Sequence, residues 1–243
     1  MNNQTPSPSS NLSSPVIPWK TAIRFIFTTV FMLGMLFLAA GRLDWWEAWA
    51  YAGMTIFVLL SSRAVLILKN PDLARERAAS ADQKEGVKSW DKILMPLTAL
   101  YLPIISWVVA GLDERFGWTP DITNSIQIIA LGVIIIGSSI GTWAMLTNQF
   151  FSSHVRIQTD RGHQVVDTGP YRIVRHPGYA GGLLSWLAAP VFFSSYWLVI
   201  LTILAIIGSV LRTKLEDDML QEELPGYQEY AERIPYRLVP GIW

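Results

Sequence analysis

The chain has 243 residues, 51% of them hydrophobic and 16% charged, with 19 basic against 19 acidic side chains. A soluble domain carries about 25% charged residues, and a balanced charge offers no basic surface for nucleic acid. Cysteine is absent, which excludes disulfides, a thiol nucleophile and a cysteine metal site, and His154, His163 and His176 lack the spacing of a metal-ligand set, so no metal is expected.

In chain order, residues 1–18 are rich in Ser, Pro, Asn and Gln and read as a disordered tail. No small-residue cleavage site follows the first apolar run, so that run reads as a retained anchor. A helix needs about 20 apolar residues to cross a bilayer core. Thr21 to Ala40, Ala48 to Leu68, Ile93 to Gly111 and Ile126 to Leu146 satisfy this, with Pro96 and Pro103 expected to kink the third. Tyr179 to Phe193 and Tyr196 to Leu211 are shorter and are divided by Ser194 and Ser195. They form either a tight hairpin that crosses with local thinning or a pair that enters and returns. The fold class is therefore all-α: a polytopic membrane bundle of about six hydrophobic segments, ending in a short helical hairpin.

Trp45, Trp46 and Trp118 stand at segment ends, where interfacial aromatics belong. Lys and Arg concentrate after the second segment (Lys69, Arg75, Arg77, Lys84, Lys88, Lys92), after the fourth (Arg156, Arg161, Arg172, Arg175) and in the tail (Arg212, Lys214, Arg233, Arg237). The other loops hold only Arg42 and Arg115. The positive-inside rule then places both termini in the cytoplasm. The chain divides into the tail at 1–18, N-terminal membrane segments at 19–147, and a polar-rich region with the hairpin at 148–243.

Two polar stretches flank the hairpin, Asn148 to Tyr179 and Arg212 to Trp243, and folding the hairpin brings them into one cytoplasmic pocket. In the first, Gly169-Pro170 signals a turn. Pro177 keeps His176 out of the helical region and suits the first turn of the next helix. That helix start offers free amides and partial positive charge, suited to a carboxylate. Arg and Tyr at a membrane interface more often anchor lipid headgroups, which is the bland account of Arg175, Tyr171 and Tyr179. In the second stretch Arg212 and Glu216 share a helix face, at the spacing of an ordinary surface ion pair. Asp217, Asp218, Glu222 and Glu223 are expected to be mostly solvated. The aromatic, proline-containing tail either folds back as a lid or lies on the membrane.

Together the stretches resemble the isoprenylcysteine carboxyl methyltransferase family, which includes phospholipid methyltransferases. The matching motifs are Gly169-Pro170-Tyr171, then Arg175-His176-Pro177-Gly178-Tyr179, then Arg212 with Glu216-Asp217, then Tyr227 to Tyr230. The match covers roughly the last 95 residues, and the motif halves at their separation carry it. Asp217 stands where the pattern has a second glutamate, which puts that carboxylate's role in doubt.

The resemblance implies S-adenosyl-L-methionine as methyl donor. It implies cofactor contacts from Gln158, His163, Gln164, Val165, Val166, Tyr171, Arg175, His176, Pro177, Gly178, Tyr179 and Glu216. Arg212 would face the acceptor, and Arg212 and Glu216 would be the catalytic pair. Chemically, Glu216 suits the ammonium or ribose and Tyr171 the adenine or sulfonium. The implied activity is methyl transfer to a carboxyl group of a lipophilic or small acceptor, at a membrane-lipid interface. Phospholipid N-methyl transfer, small-thiol S-methyl transfer, a non-catalytic lipid-binding protein and a membrane reductase remain as alternatives; no Rossmann glycine fingerprint supports the last.

Overall fold

The computed structural model describes residues 19–71, 73, 74, 77 and 86–243. The expected disordered tail, with Arg75 and Lys84 of the basic loop, lies outside the described residues. Six main helices follow the six apolar runs: α1 Trp19–Ala40, α2 Trp46–Lys69, α3 Asp91–Phe116, α4 Asn124–Thr147, α5 Pro177–Phe192 and α6 Trp197–Glu223. A short α7, Tyr227–Arg233, follows. Helices α2, α3, α4 and α6 are long and apolar enough to cross a membrane, and Ile26–Ala40 of α1 is a shorter apolar stretch. Phe57, Leu60, Ile129, Ile136 and Ile207 are exposed on the outside of the bundle. Such a surface would be an interaction patch in water and needs no cover in lipid. The fold is an all-α membrane bundle.

The C-terminal hairpin is short on one arm only. Helix α5 has 16 residues, about 24 Å at 1.5 Å per residue, against a hydrocarbon core of about 30 Å. Helix α6 has 27 residues; its last turns carry the polar stretch beyond the apolar part. Between them Ser194 takes a left-handed conformation at φ 48° and Ser195 is fully buried. Ser195 donates to Asp113, which also accepts from the Thr119 amide at 2.8 Å and its hydroxyl at 2.8 Å. The hairpin tip is thus pinned to the loop after α3.

Both expected prolines in α3 have local consequences. Neither has an N–H to continue the helical ladder, and the segment between them, Leu97–Tyr101, widens into a π turn. The Thr98 hydroxyl reaches back to the Leu94 carbonyl at 2.7 Å. One interfacial expectation is corrected. Trp46 and Trp118 are exposed, but Trp45 is only 3% exposed and packs its ring 5.7 Å from Phe193. A tryptophan at a helix start fits the interface and the core equally well until its neighbours are known.

Helix contacts form a closed circuit: α1 with α2, α2 with α4, α4 with α5, α5 with α6, α6 with α3, and α3 with α1. The most extensive is α4 with α5, and glycine permits it. A Cβ on Gly137 would stand 2.4 Å from the Gly181 carbonyl oxygen, and one on Gly181 would stand 2.3 Å from that of Gly137. Within the circuit lies a cavity of about 300 Å³, walled by Tyr51, Met54, Trp107, Ile134, Trp186 and Phe193 among others. This crossing fixes α5, and therefore the polar loop that feeds it, against the bundle.

Candidate active site

The loop before α5 has little secondary structure of its own and is fixed by its ends. Gly169 to Arg172 make a single 3-10 turn, entered by Gly169 at φ 57°, where a side chain would meet Thr147 at 3.0 Å. His176 is outside the helical region, at φ −125° and ψ 62°, and Pro177 opens α5 as expected. The Arg175 amide donates to the Tyr236 carbonyl and the His176 amide to that of Arg237, each at 2.9 Å. The tail therefore folds back onto the loop and runs beside it.

Asp217 lies at the centre of this arrangement. It is fully buried and accepts from Arg175 Nε at 2.7 Å and Nη2 at 2.8 Å, in a two-pronged pair. Tyr227 Oη donates to it at 3.0 Å, Gln221 Nε2 at 2.8 Å and Arg237 Nε at 2.8 Å, and His176 Nε2 stands 3.1 Å away. The expectation that Asp217 is mostly solvated is corrected. A shorter acid than glutamate here brings loop, helix and tail onto one carboxylate. Arg175 has no nitrogen to spare, because Nη1 donates to the Ile234 carbonyl at 2.7 Å. In this structure its charge is answered by Asp217.

One residue earlier, Glu216 is partly exposed and accepts from Tyr179 Oη at 2.7 Å. Arg212 and Glu216 share a face but do not pair with each other. Both converge on Tyr179: Glu216 takes its hydroxyl, and the Arg212 guanidinium lies over its ring, 5.6 Å from the centroid. Arg212 is instead paired with Asp91, Nε to Oδ1 at 2.7 Å, and its Nη2 donates to the Ser153 carbonyl at 2.6 Å. Asp91 was not singled out in the sequence, being 121 residues away with no local signal.

The remaining candidates fall into two groups. Gln158 is buried, its amide donating to the Phe150 carbonyl at 2.6 Å and accepting from Arg161. The His163 ring packs tilted against Phe150, 4.5 Å between centroids, and burial with the cations Arg161 and Arg156 lowers its pKa to about 4. The ring is therefore neutral at pH 7. Val165 and Val166 pack with Tyr171, Leu224, Tyr227 and Tyr230, while Gln164 is exposed. Burial raises the Tyr171 phenol to about 12, and its carbonyl accepts from Tyr230 Oη at 2.8 Å. The rings of Tyr171, Tyr227 and Tyr230 thus form one wall behind the loop. Tyr227, from the matching motif Tyr227 to Tyr230, belongs to this site although no role was expected of it, and Arg237 gave no signal beyond a basic tail.

Residues 125–225 match the family model for phospholipid methyltransferase. That segment holds α4, the loop, α5 and α6, and with them Tyr179, Arg212, Glu216 and Asp217. A protein named as a probable protein-S-isoprenylcysteine O-methyltransferase from Oryza sativa subsp. indica is 35% identical over 60 residues, 24% of this chain and 31% of that relative. A protein of the same name from Oryza sativa subsp. japonica matches equally. A Delta(14)-sterol reductase from Mus musculus is 30% identical over 97 residues, covering 36% of this chain and 22% of the relative. The chain thus matches under a third of the length of each of these relatives. Asp91, Tyr227 and Arg237 lie outside the family-matched segment.

Proposed function

We propose that the chain is an S-adenosyl-L-methionine-dependent methyltransferase of the membrane, acting on a carboxyl group of a lipophilic or small acceptor, with the cofactor site and both termini on the cytoplasmic side. The observation that carries this reading is the convergence of Glu216 and Arg212 on Tyr179, beside the start of α5. A lipid-anchoring loop has no need of a carboxylate opposite its basic residues, whereas a zwitterionic, cationic cofactor does.

The donor set fits that cofactor. Glu216 is partly exposed and has one oxygen beyond the Tyr179 bond, suited to an ammonium or to ribose hydroxyls. The first-turn amides of α5 after Pro177 suit a carboxylate. Arg175 and His176 support that turn through Asp217. When bound, the sulfonium supplies an activated methyl group. The chain's part is to hold the two reactants in line and to exclude water. A carboxylate acceptor is ionised at neutral pH, so no strong base is required, and placement supplies most of the acceleration. Arg212 holds the acceptor's carboxylate or carbonyl. The cavity inside the helix circuit reaches Gly182, one turn along α5 from Tyr179, and its apolar walls suit a hydrocarbon chain.

A second reading is favoured by one observation, the similarity to a sterol reductase over 97 residues. A single experiment separates the readings. Purified protein in lipid nanodiscs is given methyl-labelled S-adenosyl-L-methionine with N-acetyl-S-farnesylcysteine, with phosphatidylethanolamine or with a small alkyl thiol. A parallel sample receives reduced nicotinamide cofactor with a sterol bearing the 14,15 double bond. Labelled methyl ester supports the proposed reading. Label on the amine or thiol moves it to the corresponding branch. Nicotinamide oxidation without methyl transfer replaces it with the reductase. No turnover and no cofactor binding leaves a lipid-binding protein.

A further inference from the structure

The two buried arginines of the site differ in one respect. Arg175 uses Nε and Nη2 on Asp217 and Nη1 on the Ile234 carbonyl, so each of its nitrogens has a protein acceptor. Arg212 uses Nε on Asp91 and Nη2 on the Ser153 carbonyl, and Nη1 has no acceptor among the described residues. Both side chains are over nine-tenths buried. A guanidinium withdrawn from water keeps all its donors satisfied when its role is to hold the fold. Arg175 meets that condition within the protein, whereas Arg212 Nη1 is not among the buried atoms that lack a partner and so keeps access to solvent at the site.

The group that aims Arg212 is Asp91, the first residue of α3. Its carboxylate is fully buried. One oxygen accepts from Arg212 at 2.7 Å, and the other from the Val155 amide at 2.8 Å. His154 Nδ1 stands 3.7 Å from that second oxygen, beyond hydrogen-bond reach. Asp91 is itself held by the loop that supplies the Ser153 carbonyl, so the carboxylate and the carbonyl form one rigid bracket. Two nitrogens of the guanidinium are fixed in this bracket, its central carbon stands over the Tyr179 ring at 5.6 Å from the centroid, and the third nitrogen is left open.

We propose that Asp91 is a positioning residue for acceptor recognition: it holds Arg212 so that Nη1 is presented to an anionic or carbonyl group of the acceptor. This rests on the methyltransferase reading, and extends the site to a residue outside the family-matched segment. An arginine ordered before the acceptor arrives loses little rotamer freedom on binding it. Released from Asp91, the same side chain would bind the acceptor weakly while the cofactor contacts, on Glu216 and the start of α5, stay in place.

The test uses the full chain in nanodiscs, with Asp91→Asn, Asp91→Glu, Arg212→Ala and the double variant Asp91→Asn/Arg212→Ala. Three quantities are read: the Kd for S-adenosylhomocysteine, KM and kcat for N-acetyl-S-farnesylcysteine, and the rate at which phenylglyoxal labels Arg212, followed by mass spectrometry. Asp91→Asn is expected to keep the Kd within about twofold, raise KM at least tenfold and speed Arg212 labelling at least fivefold. The double variant is expected to be no worse than Arg212→Ala, because both changes remove one function. Asp91→Glu keeps the charge, moves the guanidinium, and is expected to raise KM less than Asp91→Asn does; it carries the test if the Asn variant fails to fold. Unchanged Arg212 labelling, an unchanged KM, or equal loss of cofactor affinity and turnover in the folded variants would overturn the inference. Failure of the methyltransferase reading is distinct: the parent protein then binds no S-adenosylhomocysteine, while labelling still decides whether Asp91 fixes Arg212.

Discussion

Asp217→Asn is the sharpest perturbation the site offers. The substitution keeps the shape and removes the charge that faces Arg175, Arg237 and His176. Arg175 is 5% exposed and its partner fully buried, so the guanidinium would be left without a counter-charge away from water. Removing one member of a buried pair costs about 3–5 kcal/mol, and the new amide would also turn an NH2 toward donors it cannot accept from. Helix α6 and the tail would part, because Asp217 joins Arg175, Gln221, Tyr227 and Arg237. Unfolding followed by tryptophan fluorescence in mixed micelles measures the loss. Asp218→Asn is the control. Its partners are Lys214, 58% exposed, and Arg237 at a looser 3.7 Å, and pairs of this exposed kind contribute under about 1 kcal/mol. Limited trypsinolysis adds a local reading, since Arg237 is expected to become a cleavage site only in Asp217→Asn. If the two variants unfold within about 1 kcal/mol of each other, the network does not hold the tail and the reasoning fails.

Three further outcomes follow from the same contacts. Gly181→Ala places a methyl 2.3 Å from the Gly137 carbonyl and is expected to cost at least the 1–3 kcal/mol typical of overpacking, about that size or more by thermal melting; Gly132→Ala, with open space around it, is expected to be neutral or slightly stabilising. Glu216→Gln is expected to weaken S-adenosylhomocysteine binding at least tenfold, about 1.4 kcal/mol, whereas Arg212→Ala keeps that affinity and loses turnover; calorimetry and single-turnover transfer on each variant check this. His163 has its pKa lowered to about 4 by burial, so the unfolded chain binds the proton more readily. Its contribution to stability is therefore complete above its unfolded pKa of about 6.5 and falls away as pH drops toward 4. Melting at pH 7 and pH 5 is expected to show a larger drop for the parent than for His163→Gln, and equal drops would refute the assignment.

Most of the bundle was legible because run length and hydropathy are local properties. The six apolar runs became six helices, and Pro96 and Pro103 bracket a real irregularity. The His176-Pro177 boundary was legible for the same reason, since proline restricts the residue before it. The site was legible only in part. Spacing put Arg212 and Glu216 on one face but not their partners, because Tyr179 and Asp91 come from other helices. Asp217 read as one more surface acid. Its burial is decided by donors from a loop, from α6 itself and from the tail, which no helical period records. Trp45 failed in the same way, since a ring at a helix start goes to core or interface according to what Phe193 does.

The central claim is that the pocket around Tyr179 and Glu216 holds S-adenosyl-L-methionine. Its most direct test is titration calorimetry of S-adenosylhomocysteine into the purified protein in nanodiscs, repeated with Glu216→Gln. Saturable one-site binding by the parent, weakened at least tenfold in Glu216→Gln while Asp218→Asn binds like the parent, is the predicted result. Absence of binding by well-folded parent protein, or equal affinity in the parent and Glu216→Gln, would contradict the claim.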